Sequence, residues 1–277
     1  MTGIFACFKL FDKFKLDTLL AIVVNYITAC AFGLLVYDIP MKTQEILTSK
    51  WFYGAFLLGI LFIAIFQVMA LTAQRNGLSV ASISAKMSLV IPITFGLYLY
   101  HESAGIQKII GIILALVAVY LSSVKSGTNA KFSKNLVLPV VLFFGSGAID
   151  TSIKYLEANY IPENGISIFS ASIFGSAALF GLFPLAYRAI KKQFHFGYKS
   201  IIGGIVLGII NFGSIYYLVK ALHFGGLESS TIFTVNNVSI VMLSTVLGLM
   251  LFKEHISRTN WIGITLAIIS IVLVTSA

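Results

Sequence analysis

Long apolar runs joined by very short polar links constrain this chain more than any other feature. The runs lie at 16–37, 51–74, 78–100, 104–123, 136–157, 166–189, 201–223, 229–252 and 261–276. A bilayer core of about 30 Å is crossed by about 20 apolar residues in a helix, and a helix satisfies its own backbone hydrogen bonds in lipid. The pattern predicts an all-α integral membrane protein with nine clear spans.

The composition excludes a soluble globular domain. Hydrophobic residues make up 58% of the 277 residues and charged residues only 10%, against about a quarter charged in soluble domains. The net charge of +9 comes from Lys and Arg in the links, which suits anionic lipid headgroups better than nucleic acid. We therefore expect the lipid bilayer, and no nucleic acid, as a partner. The expected location is the cell membrane, as a multi-pass protein, and the inner membrane if the source is a Gram-negative bacterium.

The chain also matches itself. Gly59 and Gly77 recur as Gly208 and Gly226 at the same separation, and 99–102 matches 251–254 after a short insertion. We infer two five-helix repeats, at 1–124 and 135–277, in a ten-helix plan whose first helix, ending near residue 11, is truncated. An odd number of helices per repeat inverts the second repeat in the membrane, which is a recurring architecture of secondary transporters.

Short motifs in both repeats carry a resemblance to a known family. They are Gly77-Leu78 and Gly226-Leu227 at the start of the fourth helices, Glu102 and Glu254 after them, and Gly111 and Gly263 in the fifth helices. With these motifs the chain resembles the EamA-like family of the drug/metabolite transporter superfamily over almost its whole length. The resemblance implies a central cavity lined by the first, third and fourth helices of each repeat.

Lys86 is the most informative single residue. It lies about 12 Å into the fourth helix, where a charge is costly and is usually paired or faces water. One interpretation is a cavity cation that binds an anionic or zwitterionic substrate. The alternative is a long side chain that extends to the nearer headgroups.

Asp150 is a second ionisable residue inside a predicted span. An intramembrane carboxylate can carry a proton in a transporter. Two other roles stay open: a pair with Lys154, one turn further along the helix, or a bridge to Lys86.

Uncharged polar residues inside the spans complete the candidate substrate-binding set, which is Lys86, Asp150, Asn25, Gln67, Asn211, Tyr216, Asn236 and Asn237. The resemblance places Asn211, Asn236 and Asn237 on cavity helices. Each Asn could instead bond a neighbouring helix, which contributes about 0.6 kcal/mol on average.

Structural roles are expected for several other residues. Small-residue pairs such as Gly204 and Gly208 let helices approach closely. Pro92 removes a backbone hydrogen bond and should kink the fourth helix. Glu102 and Glu254 precede the fifth helices, where a carboxylate favours a helix N-terminus.

The function expected from these patterns is secondary transport. The chain has no Asp-x-x-Asp, His-Glu-x-x-His or Gly-x-Ser-x-Gly motif, and its four histidines lie at helix ends or in links, so we expect no enzyme, catalytic residue, metal site or cofactor. The expectation is an exporter that moves a small polar metabolite or drug-like molecule by alternating access. A coupling proton and a homodimer are open options. The alternatives are a membrane-embedded enzyme or a channel-like pathway.

Overall fold

The computed structural model describes residues 2–36, 43–76, 78–102, 105–123, 137–162, 165–191, 197–224, 226–252 and 258–276. In these ranges the chain forms helices and no strand. They are α1 (Thr2–Lys13), α2 (Thr18–Leu35), α3 (Thr43–Thr48), α4 (Lys50–Asn76), α5 (Leu78–Met87), α6 (Val90–Leu99), α7 (Ile106–Ser123), α8 (Val137–Tyr160), α9 (Ile166–Ile190), α10 (Tyr198–His223), α11 (Ser229–Phe252) and α12 (Arg258–Thr275). Gly77 and Glu254 of the motifs, and His195 and His255 among the four histidines, lie outside the described residues.

The predicted all-α class is confirmed, and every predicted span is helical over most of its length. Within the described residues, five helices are long and apolar enough to cross a membrane: Thr18–Leu35, Lys50–Thr72, Val137–Tyr160, Ile166–Ile190 and Tyr198–His223. Shorter apolar helices occupy Ser84–Leu99, Ile106–Leu121 and Trp261–Thr275. These lengths and compositions are compatible with a location in a membrane.

The predicted span at 78–100 is interrupted. It consists of α5 and α6, separated by Ser88 and Leu89. Because Pro92 has no N–H, the carbonyl of Ser88 loses its usual partner four residues on. It accepts instead from the N–H of Ile91, at 2.9 Å, in a tighter turn. The kink expected from Pro92 therefore takes the form of a local break one turn earlier in the chain.

The helices form two compact units. Unit 1 comprises Gly3–Gln67 and Ser152–His223, and unit 2 comprises Val68–Thr151 and Phe224–Ala277. Each unit takes helices from both halves of the chain, so the units divide the sequence differently from the repeats expected at 1–124 and 135–277. The helices α4 and α8 each continue from one unit into the other.

In unit 1, α2 packs against α9 and α10. A Cβ at Gly204 would lie 2.7 Å from the carbonyl oxygen of Ala21, and one at Gly208 would lie 2.6 Å from that of Asn25. The small-residue pair therefore lets α10 touch the backbone of α2, the packing role expected from sequence. Nearby, the fully buried Tyr26 donates its hydroxyl to the carbonyl of Phe62, at 3.2 Å.

The start of α2 is fixed by its own cap and by α10. Asp17 accepts hydrogen bonds from the N–H groups of Leu19 and Leu20, at 3.0 and 3.2 Å. Its own N–H donates to the hydroxyl of Ser200, and Arg188 of α9 lies 3.6 Å from its carboxylate. An Asp at this position satisfies N–H groups that have no partner within the helix.

In unit 2, α7 packs along α12, and α11 contacts α6, α7 and α12. Small side chains make the close contact possible: Ala115 and Ala118 of α7 pack with Ala267 of α12 and Val238 of α11. A Cβ at Gly111 would lie 2.6 Å from the side chain of Val274. This packing positions α11 beside α5 and α6, which hold the candidate site.

Candidate functional site

Lys86 lies at the end of α5 and is almost fully buried, with 4% of its surface exposed. Its ammonium donates a hydrogen bond to Oδ1 of Asn237 on α11, at 3.2 Å. Asn237 is also buried, and its Nδ2 donates to the carbonyl of Phe233, at 3.0 Å. The amide is therefore held in one orientation, with its oxygen toward the cation.

Asp150 of α8 is the anionic neighbour of this pair. It is partly buried and lies close enough to Lys86 for the two charges to interact. Lys154, the other partner proposed for Asp150, forms an ion pair with Glu157 at 2.8 Å. Unit 2 thus brings together three predicted site residues: Lys86, Asp150 and Asn237.

The break between α5 and α6 begins two residues after Lys86. The N–H of Leu89 makes only a long bond to the carbonyl of Lys86, at 3.4 Å, and the hydroxyl of Ser88 donates to the carbonyl of Ala85, at 2.7 Å. Backbone groups at a helix break have incomplete bonding, so they are available to a polar ligand. A buried cation, an amide, a carboxylate and a helix break together could bind a small molecule that carries an anionic group.

Asn25 and Asn211 form a separate polar pair in unit 1. Both are buried, and Nδ2 of Asn211 donates to Oδ1 of Asn25, at 3.1 Å. This bond joins α2 to α10 next to the close approach at Gly208. It matches the interhelical alternative expected for these residues.

We predict that Asn211→Leu lowers the stability of the protein by about 1 kcal/mol, because it leaves the Asn25 amide buried without its partner. The double variant Asn25→Leu/Asn211→Leu should recover part of that loss, since both polar groups are then absent. Melting temperatures of the purified variants in detergent measure both effects. A double variant less stable than the sum of the single variants would contradict the role of this pair.

Three predicted site residues remain: Gln67, Tyr216 and Asn236. Nε2 of Gln67 is buried and has no hydrogen-bond partner, and Tyr216 stacks on Phe212 with ring centroids 5.4 Å apart; both belong to unit 1. Asn236 is partly buried and lies one residue before Asn237. Neighbours on a helix are rotated by about 100°, so it faces a different direction from Asn237.

Glu102 differs from its expected role. It follows α6 and precedes α7, but its carboxylate accepts from the N–H groups of Ser229 and Ser230, at 2.9 and 3.0 Å, and from the hydroxyl of Ser229. It therefore caps α11, from the other half of the chain. Burial alone would raise the pKa of Glu102, but these hydrogen bonds outweigh it and hold the pKa below its usual value.

A lysine completes this end of unit 2. Lys108 of α7 is 2% exposed, forms an ion pair with Glu228 just before α11, and interacts with the charge of Glu102. The sequence analysis did not single out Lys108. Its pairing depends on how α7 packs against α11, which no local pattern shows.

Unit 1 also contains an open groove of about 550 Å³, lined by Ser49, Lys50, Trp51, Ala158, Asn159, Tyr160, Ile161 and Pro162. None of the predicted site residues lines it. The groove lies where α4 begins and α8 ends. Glu157 immediately precedes Ala158, the first residue of α8 that lines the groove. Its carboxylate bonds both Lys154 and His223. The sequence analysis missed this cluster, although all three residues lie near helix ends.

The fold and the buried charges define an all-α protein with membrane-length helices and a polar cluster at a helix break. The chain is 30% identical over 257 residues to an uncharacterized protein of Haemophilus influenzae, a match that covers 91% of this chain and 86% of that protein. The chain belongs to the family of that protein.

A comparison with solved structures describes the fold. A solved crystal structure matches with a TM-score of 0.70 at 14% identity and covers 99% of this chain and 97% of that one. At this identity the likeness shows a shared fold alone. No protein-family model matches the chain.

Proposed function

We propose that this protein is a secondary transporter that moves a small polar metabolite or drug-like molecule across the cell membrane by alternating access. The observation that carries the proposal is the burial of Lys86 beside Asn237 and Asp150, next to a helix break. The direction of transport we propose is export. The protein is proposed to act without a catalytic residue or a cofactor.

The buried cation supports a transport role on energetic grounds. Removing an ammonium from water costs several kcal/mol, and replacing a buried ion pair by apolar residues is often neutral or stabilising. A protein that needed only stability at this position would do as well with Leu or Met. Ionisable residues inside membrane segments usually mark substrate or ion pathways.

The helix break supports the same role. Interrupted helices near the middle of the membrane form the binding sites of many secondary transporters, where free backbone groups meet the substrate. The interruption at Ser88 and Leu89 begins two residues after Lys86. The proposed plan of two inverted five-helix repeats, similar to that of EamA-like transporters, would allow the two halves to open alternately.

Ligand-induced stabilisation of the purified protein tests this proposal. Its melting temperature in detergent is measured against amino acids, nucleosides, sugar phosphates and cationic drugs. A compound that binds only the folded state stabilises it by about 2.7 kcal/mol at a hundredfold excess over its Kd. We expect a compound with an anionic group to raise the melting temperature and to be transported into proteoliposomes.

Substitutions locate the binding site. Lys86→Ala should abolish the ligand-induced shift, and Asn237→Ala should weaken it, because the amide orients the ammonium. The exposed Lys199 supplies the matched control, Lys199→Ala, which should leave the shift unchanged. A shift that persists in Lys86→Ala would exclude Lys86 from the site, and a folded protein that binds and transports none of these compounds would argue against the function.

A further inference from the structure

A second buried charge cluster lies in unit 1 and has no part in the site around Lys86. Oε2 of Glu157 accepts a hydrogen bond from the ammonium of Lys154, at 2.8 Å, and Oε1 lies 3.1 Å from Nδ1 of His223. The Glu157 side chain is only 5% exposed, whereas the His223 side chain is 26% exposed. The cluster joins the end of α8 to the last residue of α10.

The partners of Glu157 determine the state of the histidine ring. A carboxylate has only acceptor oxygens, so Nδ1 of a neutral His223 must carry the hydrogen that bonds Oε1. Nε2 is then left with a lone pair on a partly exposed ring. Nε2 is therefore the ring atom that can accept a proton from water.

We propose that Nε2 of His223, supported by Glu157 and Lys154, is the binding site of a proton that is coupled to transport; this inference rests on the proposed function. When hydronium transfers its proton, one O–H bond breaks, an N–H bond forms at Nε2, and a water molecule leaves. The cluster changes from a neutral total charge to +1. A change of one full charge in a largely buried cluster can favour one conformation of a transporter over another.

Other ionisable residues lie on the helices that carry the cluster or line the groove beside it. Among the described residues they include Lys50 at the start of α4, Tyr155 and Tyr160 on α8, and Lys220 on α10, whose ammonium lies 5.9 Å from the centre of the Tyr216 ring. The start of α9, at 166–176, has no ionisable side chain.

Two measurements on the full protein test the proposal. Each compares the wild type with His223→Gln and Glu157→Gln. His101→Gln is the control, because His101 is an exposed histidine. The first is the melting temperature in detergent from pH 5 to 8, which requires no substrate. Protonation places a cation against the Glu157 carboxylate, so the wild type and His101→Gln should gain stability as the pH falls. His223→Gln should lack this gain.

The second measurement is transport in proteoliposomes of the compound that most stabilises the wild type. One coupled proton supports about tenfold accumulation for a gradient of one pH unit. We expect His223→Gln and Glu157→Gln to lose this accumulation but to keep exchange of labelled for unlabelled substrate, which needs no net proton movement. Glu157→Gln nearly preserves side-chain volume, so it serves as the test if His223→Gln does not fold.

The outcomes separate the two proposals. Identical pH profiles of melting temperature in the wild type and His223→Gln would overturn proton binding at His223, whatever the transport result. Gradient-driven accumulation that is unchanged in both variants would overturn the coupling role. The wild-type protein could instead gain stability as the pH falls and yet transport none of the compounds. That result would contradict the transporter function and therefore the coupling role. Proton binding at His223 would still stand.

Discussion

Replacement of Gly208 by valine is expected to destabilise the protein strongly, because it puts a branched side chain where α10 touches the backbone of α2. A Cβ at this position would lie 2.6 Å from the carbonyl oxygen of Asn25 and 2.6 Å from Cβ of Thr28, so α10 would have to move away from α2. Overpacking of a tight contact costs on the order of 3 kcal/mol when backbone atoms must shift. The displacement would also stretch the hydrogen bond between Asn211 and Asn25.

The same helix offers a matched control. A Cβ at Gly213 would meet nothing within 4 Å, so Gly213→Ala adds a methyl group without a clash. Alanine is favoured over glycine in a helix interior by about 0.5–1 kcal/mol, so this variant should be as stable as the wild type or more stable. Melting temperatures and the yield of monodisperse protein measure the difference. Equal losses in both variants would mean that Gly208 is not at a close helix contact.

The second large effect is expected at Glu102. Glu102→Ala removes a carboxylate that accepts three hydrogen bonds at the start of α11, and it leaves Lys108 with less negative charge nearby. Loss of a capping residue costs typically about 1 kcal/mol, and hydrogen bonds to a charged group contribute more than neutral ones. We expect the free energy of unfolding at pH 7 to fall by about 2 kcal/mol. A lower midpoint of thermal unfolding in the variant measures this loss.

The pH dependence distinguishes this cap from a simple packing effect. Because the pKa of Glu102 is held below its usual value in the folded protein, its contribution to stability is present above the ordinary carboxylate pKa and is lost as the pH falls through the lowered value. The stability difference between the wild type and Glu102→Gln should therefore shrink below about pH 4. A difference that stays constant from pH 7 to 3 would exclude the ionised carboxylate as the stabilising group.

The role of Glu102 differs from the one that its neighbours in the sequence predict. A carboxylate just before a helix is expected to favour that helix, and Glu102 lies a few residues before α7. It caps α11 instead, because the end of α6 packs beside the start of α11. A Cβ at Gly96 would lie 3.0 Å from the Ser229 hydroxyl and 3.1 Å from the Glu102 carboxylate, so the absence of a side chain there leaves room for the cap.

The candidate site was only partly predictable. Lys86 and Asp150 stand out in the sequence because a charge inside an apolar run is costly wherever the helix packs. The sequence did not show that Asn237, and not the adjacent Asn236, bonds Lys86, because that choice depends on the rotation of α11 about its axis. The cluster of Lys154, Glu157 and His223 gave no local signal, since charged residues near helix ends are ordinary in membrane proteins.

The sequence by itself determined the all-α class, the positions of the apolar helices and a kink caused by Pro92. These properties depend on hydrophobicity and backbone chemistry within about 20 neighbouring residues, where the bilayer and the missing proline N–H act directly. Only the tertiary structure decided that each compact unit combines helices from both halves of the chain, and which buried polar groups are partners. Those pairings join residues far apart in the chain, and they follow from how helices rotate and pack together, which hydrophobic periodicity leaves open.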